Sequence, residues 1–345
     1  MEIFLTDQHC RESLFPFTEI RHTAEIRVGM LTIKEKWERL TGLKINLVSE
    51  AATTDTENVY INASILPTLA SFQNIIDASK NSRPLENTDD IKLIQYPWHI
   101  SQVNDWAIRK DFELVKKSGG GKAIPNSNKV LNPEDIFLAK GVKIEFCILN
   151  ADDGPIFIGA NAHVMEGSII RGPVAICEQG IVKMGSKIYS GTTIGPGCVA
   201  GGEIKNSVMF ANSNKAHDGY LGDSVIGEWC NIGAGTSNSN LKNNAADVLF
   251  NVNGKMINAG NKAGLMMGDY SRAAINTSFN TGTIVGISCN IFGNGMPARN
   301  VPSFSWGQER YQLDKALRDI ENWKKLKNKS LDEGEKLKLT ELYNK

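Results

Sequence analysis

The chain has 345 residues, with 38 Lys and Arg against 38 Asp and Glu. This balance points to neither nucleic acid nor an anionic membrane surface as a partner. No apolar run reaches the roughly 18 residues that a spanning helix needs, and Met1–Thr6 lacks the length and basic start of a signal peptide, so a cytoplasmic protein is expected. The length exceeds what one compact core usually organises, so more than one domain is expected.

Residues 1–122 show no repeat. Ile3–Leu5, Ile45–Val48, Val59–Ala63 and Ile91–Gln95 read as short buried strands, and Thr32–Leu40, Pro67–Ala78 and Asp105–Lys117 as helices. Asp105 is the expected cap of the last helix. Strands alternating with helices predict a small α/β layer structure. Ser118-Gly-Gly-Gly-Lys122 and Pro125–Asn132 then read as a flexible link.

From Ile158 every sixth residue is aliphatic: Ile158, Val164, Ile170, Ile176, Val182, Ile188 and Ile194. Four residues after each comes a mostly small side chain: Ala162, Ser168, Val174, Gly180, Ser186, Thr192 and Cys198. A period of six fits neither an amphipathic helix nor a hairpin strand. It is the signature of a parallel β-helix in which each hexad supplies a short strand and a corner. The repeat begins irregularly near Val130 and occupies residues 130–306. After Ile194 the register slips, and Val208, Asn214, Tyr220, Ile226 and Ile232 read as the next inward column. Asn214 and Tyr220 are poor core residues, so something other than packing is expected there. Asn243–Gly260 interrupts the repeat, with Val248–Phe250 and Lys255–Ile257 flanking Asn253-Gly254 as a hairpin with a type I′ turn. Met267, Ala273, Phe279, Val285 and Ile291 resume the column.

Residues 307–345 read as helical. Leu313, Leu317, Ile320 and Leu326 form an apolar stripe, and Ser330-Leu-Asp-Glu333 resembles a capping box that opens a second helix. These helices are expected to cover the last coil, whose strand edges would otherwise be open. The six cysteines have no paired or metal-type spacing. Cys198, Cys230 and Cys289 fall in small inward slots, where a thiol packs as a small hydrophobe, in keeping with a reducing compartment.

The chemistry concentrates in Gly202–Asp223. An outward His217 beside Lys205, Lys215 and Tyr220 has the parts to deprotonate an amine and hold an anionic substrate; the alternative is an ordinary surface or packed histidine. A zinc site is not expected. His163 and His217 follow their aliphatic positions at different offsets, and His9, His22 and His99 lie outside the repeat.

Glu203-Ile-Lys-Asn-Ser, Asn214-Lys-Ala-His217, Tyr220-Leu-Gly-Asp223 and Ile226-Gly-x-x-x-Asn-Ile-Gly-Ala-Gly-Thr236 resemble a bacterial bifunctional family. It comprises the N-acetylglucosamine-1-phosphate uridyltransferase/glucosamine-1-phosphate acetyltransferases of UDP-N-acetylglucosamine synthesis. The likeness resumes at Asn261-Lys262 and Met267–Gly295, and Glu35-Lys-Trp37 and Pro302-Ser-Phe-Ser-Trp-Gly307 fit a shorter, divergent branch. The resemblance implies a left-handed β-helix, a homotrimer, and acetyl-coenzyme A lying in a groove between subunits. It implies His217 as general base and Lys187, Lys205, Tyr220, Asn231 and Lys262 as holders of the sugar phosphate or nucleotide sugar. Asn240 would orient the acyl group, backbone N–H groups near it would stabilise the oxyanion, and Ala234 and Gly293 would touch coenzyme A.

The chain departs from the family at Leu241, where an aromatic is usual, at Ile275 in place of a serine, and at Lys187 in place of an arginine, which loses a bidentate phosphate grip. The insertion 243–260 is expected beside the coenzyme groove. The N-terminal region lacks the family's glycine-rich phosphate loop, because Ile3-Phe-Leu-Thr-Asp7 runs into Gln-His-Cys-Arg11. Leu14-Phe-Pro-Phe-Thr18 does resemble the segment that follows that loop. Arg11, Arg21, Arg27 and Lys34 are read either as phosphate ligands or as ordinary salt-bridge partners. The region reads as a reduced, nucleotidyltransferase-like domain that would need Mg2+ only if active. Two further readings stay open: a sugar-1-phosphate nucleotidyltransferase whose β-helix only trimerises it, and a non-catalytic structural trimer.

Overall fold

A computed structural model describes residues 2–50, 58–252 and 254–345. Near the N-terminus Ile3–Thr6 runs parallel between Asn46–Val48 and Val59–Asn62, with Leu5 opposite both Leu47 and Ile61. Helix Ile33–Thr41 starts on a capping box in which Thr32 and Glu35 bond each other's backbone N–H, and Gly42 ends it in the left-handed region. Several expectations shift. Helix 67–78 begins only at Phe72 because Thr68 and Ser71 exchange side-chain and backbone hydrogen bonds in a turn of their own. Of Ile91–Gln95 only Lys92–Leu93 is strand, paired antiparallel with Ile65–Leu66 outside the parallel sheet. Asp105 does not cap its helix: Asn104–Ser118 starts one residue earlier, and the Asp105 carboxylate accepts from Arg109 Nε at 2.6 Å. Helix Pro97–Gln102 was not foreseen, although Pro97 at its first position is a usual opening.

From Lys129 onward the chain winds as a three-sided parallel β-helix. Its first face is a six-stranded sheet from Lys129–Leu131 to Tyr220–Gly222. The second is nine-stranded, from Ile136–Leu138 to Asn300–Val301, and the third ten-stranded, from Lys143–Ile144 to Glu309–Arg310. Ile158 pairs with Ile176 and Ile176 with Ile194, so identical positions recur eighteen residues apart, three hexads per coil. All seven aliphatic hexad residues from Ile158 to Ile194 lie in one continuous buried cluster. Each such burial is worth about 1.5–3 kcal/mol, which sets the register. Corners that demand positive φ take residues tolerant of it, such as Asn161 (φ 57°) and Asn276 (φ 56°).

The register beyond Ile194 differs from the expected one by a residue. Ile188 pairs with Ile204, sixteen on, and Ile194 with Met209, fifteen on, because two successive corners are short. Met209, Lys215 and Leu221 therefore point inward, and Val208, Asn214 and Tyr220 outward. A one-residue slip exchanges the two faces of a strand. Met267, Ala273, Phe279, Val285 and Ile291 resume the interior as expected.

The N-terminal layer packs on the outside of the second face. Val208, Phe210, Val225, Met266 and Ile284 share one buried cluster with Ile3, Leu5 and Trp98. Arg21 crosses the junction and meets Glu228 (3.4 Å) and the fully buried Asp269. The insertion forms the hairpin Leu249–Val252 with Lys255–Asn258, Val252 opposite Lys255; Asn253, half of the expected turn, lies outside the described residues. Within the chain the hairpin belongs to the N-terminal layer rather than to the expected groove. Phe250 stacks on Trp98 (4.5 Å, 5°), and Gln102 Nε2 donates to Ala259 O.

Helices Leu313–Lys325 and Glu333–Tyr343 lie along the edge between the second and third faces, on Trp229, Tyr270, Ile287 and Phe304. The third sheet itself ends in an antiparallel turn-back, Ser305–Trp306 against Glu309–Arg310. The second helix is capped by Asp332 with Glu335, two residues beyond the expected box, and Leu326 is exposed. Among the described residues no helix is long and apolar enough to cross a membrane.

Removing Arg21 leaves the Asp269 carboxylate buried without its ion partner. Arg21→Ala is expected to lower unfolding free energy by about 3–5 kcal/mol, measured by denaturant titration; a loss under about 1 kcal/mol would show that the junction does not depend on the pair.

Candidate active site

The edge between the third and first faces carries one corner per coil. Gly201–Gly202, Ala216–Gly219, Gly233–Thr236 and Ala274–Thr277 stack in order. Their spacing is tight: a Cβ at Gly201 would overlap the Ala216 carbonyl, and one at Gly233 the Ala274–Ile275 peptide. Gly235 N donates to Asp218 O (3.0 Å) and Asn276 N to Ala234 O (2.7 Å), which locks each corner onto the next. His217 is exposed on this ridge, with Ala234 one coil above it. Above Ala234 the ridge continues through Ile275 into a cavity of about 950 Å3 lined by Ile275, Phe292, Gly293, Met296 and Tyr343. Ile275 is 68% and Met296 62% exposed, so this groove has apolar walls. Gly293 lies in the cavity; Ala234 and His217 lie on the ridge below it.

The first face adjoins the ridge. Lys187, Glu203 and Tyr220 stand in one outward column, and Lys205 lies opposite Gly222 in the next. The Tyr220 ring lies along its own strand, where a Cβ at Gly222 would overlap it. This brings Tyr220 Oη within 3.1 Å of Asn240 Nδ2. The same Nδ2 is 2.5 Å from Asp223 Oδ2, and Asn206 Nδ2 donates to Asp223 Oδ1 at 2.7 Å. An ionised carboxylate only accepts, so Asn240 must turn its NH2 toward Asp223 and leave its Oδ1 free to accept. Burial and the Asp223 carboxylate raise the Tyr220 pKa, which keeps the phenol a donor. Ala263 N donates to Asn240 O at 3.0 Å, which places the exposed Lys262 next to this network.

Of the predicted residues, His217, Tyr220, Asn240, Lys205, Lys187 and Lys262 thus cluster on the ridge and the first face. Asn231 does not join them. It projects from the third face between Asn214 and Arg272, at the end of its strand away from the ridge. Lys215, expected outside beside His217, is inside the prism. Sequence reading missed Asp223 and Asn206 as the groups that orient Asn240; Asp223 ends the Tyr-Leu-Gly-Asp motif, but a six-residue period assigns it only to a corner.

The N-terminal cations are engaged. Arg11 pairs with Asp7 (2.9 Å), Arg21 with Asp269, Arg27 with Glu35 (3.5 Å) and Lys34 with Glu38 (3.8 Å). Asp7 is wholly buried and also accepts from Thr23 N, so it is not available to a magnesium ion. A cavity of about 400 Å3, lined by Gln8, His9, Glu12, Ser13, Tyr96 and Lys255 among others, lies just beyond the end of strand Ile3–Thr6.

Fold and site together define a hexapeptide-repeat β-helix carrying a small nucleotidyltransferase-like layer. Residues 3–86 match the family described as Sugar nucleotidyl transferase. A bifunctional sugar-1-phosphate nucleotidylyltransferase/acetyltransferase of Sulfurisphaera tokodaii is 30% identical over 224 residues, 61% of this chain and 49% of that protein. The bifunctional protein GlmU of Methanocaldococcus jannaschii is 34% identical over 111 residues, 32% of this chain and 27% of that protein. The chain therefore spans less than half the length of these curated relatives. Among solved structures, an Arabidopsis UDP-N-acetylglucosamine acyltransferase covers 57% of this chain and 76% of its own, at 15% identity and a TM-score of 0.32. Over these segments the chain is similar to bifunctional GlmU-like proteins.

Gly222→Ala is expected to cost about 1–3 kcal/mol of stability by crowding the Tyr220 ring. In a Tyr220→Ala background the same change should cost about 0.5 kcal/mol or less. Equal costs in both backgrounds would show that the ring does not lie over this glycine.

Proposed function

We propose that the protein transfers the acetyl group of acetyl-coenzyme A to the amine of a sugar phosphate such as glucosamine-1-phosphate, in the cytoplasm, as a step toward nucleotide-sugar and cell-envelope precursors. The observation that carries this reading is the exposed His217 on a ridge that leads, coil by coil, through Ala234 into the apolar groove at Gly293, with a phenol and ammonium groups on the adjoining face. Pantetheine lies along the ridge, where Ala234 and Gly293 present no side chain large enough to block it. Lys187, Lys205 and Lys262 supply positive charge for the phosphate, and Tyr220 a hydroxyl donor.

Asn240 Oδ1 accepts an N–H of the amine and aims its lone pair at the thioester. His217 takes the proton as nitrogen attacks the thioester carbon. Backbone N–H groups of the ridge stabilise the tetrahedral oxyanion. Collapse forms the amide and expels the coenzyme A thiolate, which recovers the proton from the imidazolium.

His217→Ala is expected to lower kcat by about 10^2–10^4-fold, with unchanged circular dichroism, in an assay of thiol release from acetyl-coenzyme A with glucosamine-1-phosphate. Parent-like turnover by this variant would remove His217 as the base.

The same reading makes the protein a homotrimer. The second face is covered by the N-terminal layer and the edge between second and third by the C-terminal helices, whereas the first face is bare. It exposes Ile148 and Ile169, with Phe146 and Met184 beside it. Burial of such a face against two further copies removes it from water. Ile169→Asp is expected to shift the mass seen by light scattering from three chains toward one and to abolish turnover. A parent that is monomeric in solution would refute the trimer.

The match of residues 3–86 to sugar nucleotidyltransferases favours a second reading, nucleotidyl transfer with the β-helix serving for assembly. Pyrophosphate release from uridine or thymidine triphosphate with a sugar-1-phosphate by the whole chain would support it. The engagement of Arg11, Arg21, Arg27 and Lys34 in ion pairs argues for no release.

A further inference from the structure

The inward column of the third face runs Val164, Val182, Ala200, Lys215, then Ile232 and Ala273. One member is a lysine, 1% exposed. Three lysines are buried among the described residues. Lys36 meets Asp111 and Lys324 meets Glu335, whereas Lys215 has no carboxylate partner. Its Nζ donates instead to two backbone carbonyls, Gly201 O at 3.2 Å and His217 O at 2.5 Å. Ala200 beneath it leaves room for the aliphatic stem. The surrounding interior groups, Ile204, Leu221, Met209 and Ile226, are apolar. Asp218, exposed on the same corner, is the one carboxylate whose charge opposes the effect of burial on this group.

Stability does not account for this residue. A buried ammonium without a counter-ion is costly, and an aliphatic side chain fills the equivalent place in neighbouring coils. What the lysine does contribute is position. It ties the corner that bears His217 to the carbonyl of the coil beneath it, from inside the prism, while the imidazole stands outside. We propose that Lys215 is a positioning residue: the interior ammonium pins the His217 backbone so that the base is held at the ridge, facing the acyl groove. This rests on the acetyltransferase reading given above. A displacement of a reacting group by about 1 Å costs on the order of 100-fold in rate, so one anchored carbonyl is enough to matter.

Lys215→Met keeps length and volume and removes the donor. The variant is expected to be at least as stable as the parent, to lose about tenfold or more in kcat, and to keep KM for acetyl-coenzyme A and for the amino sugar within about threefold. Hydrogen exchange at residues 216–219 should accelerate by about tenfold or more, with the rest of the β-helix unchanged. A pH signature accompanies it. Burial pushes the Lys215 pKa down to about 8 from 10.5. Between those values the unfolded chain holds the proton and the folded one does not, so the parent gains stability relative to the variant as pH rises from about 8.

A variant with parental kcat and parental exchange at the corner overturns the proposal. A parent that never acetylates overturns the acetyltransferase reading instead, and the exchange rates still decide whether Lys215 anchors the corner. If Lys215→Met fails to assemble, Lys215→Gln, which retains N–H donors, is read the same way, with kcat and exchange expected between parent and loss.

Discussion

The structure depends on one constraint: each coil's backbone must hydrogen-bond to the coil below while its aliphatic residues stay in a shared interior column. Corner length is then the adjustable quantity. Where corners keep their length, positions recur every eighteen residues. Where two of them shorten, the inward and outward sets exchange places. The short corners fall one coil before His217, and they are what send Tyr220 and Asn214 out and Lys215 in. The chemistry-bearing stretch is thus produced by a local departure from the repeat rather than by the repeat itself.

In the N-terminal layer the cations have permanent partners. Arg21 is buried and bound to Asp269 across the junction, Arg11 to Asp7, and Lys36 to Asp111. Those pairs favour one packing arrangement and compete with any phosphate for the same groups. The hairpin at 249–258 adds Phe250 to that core, so an insertion in the β-helix contributes to the neighbouring layer.

Most of the architecture was legible because period six has few alternatives, and the columns Ile158–Ile194 and Met267–Ile291 fall where hexad counting puts them. The segment 208–221 was not, because counting cannot say which of two adjacent residues, Asn214 or Lys215, turns inward when both are polar. Only the lengths of the corners decide that, and these are set by backbone packing between coils. Motif spacing singled out His217 and Tyr220, and the structure places them on the ridge and on the adjoining face. The Asp223–Asn240 contact was hidden because it joins residues on successive coils, seventeen apart, across a face that has no sequence period of its own. Helix ends moved for local reasons, as at Thr68 and Asp332, where side chains compete for the same backbone donors.

Solenoids built from stacked repeats commonly lose their end coils first, since each coil touches only its neighbours. Here helix Asn104–Ser118 runs across several of them. Ile108, Phe112 and Val115 share a cluster with Phe137, Phe157 and Ala175, and Asn104 bonds to Gly191 and Thr193. The helix acts as a splint along the rod. Coils that would otherwise melt one after another are coupled to a single element, so those from Phe137 to Thr193 gain and lose order together.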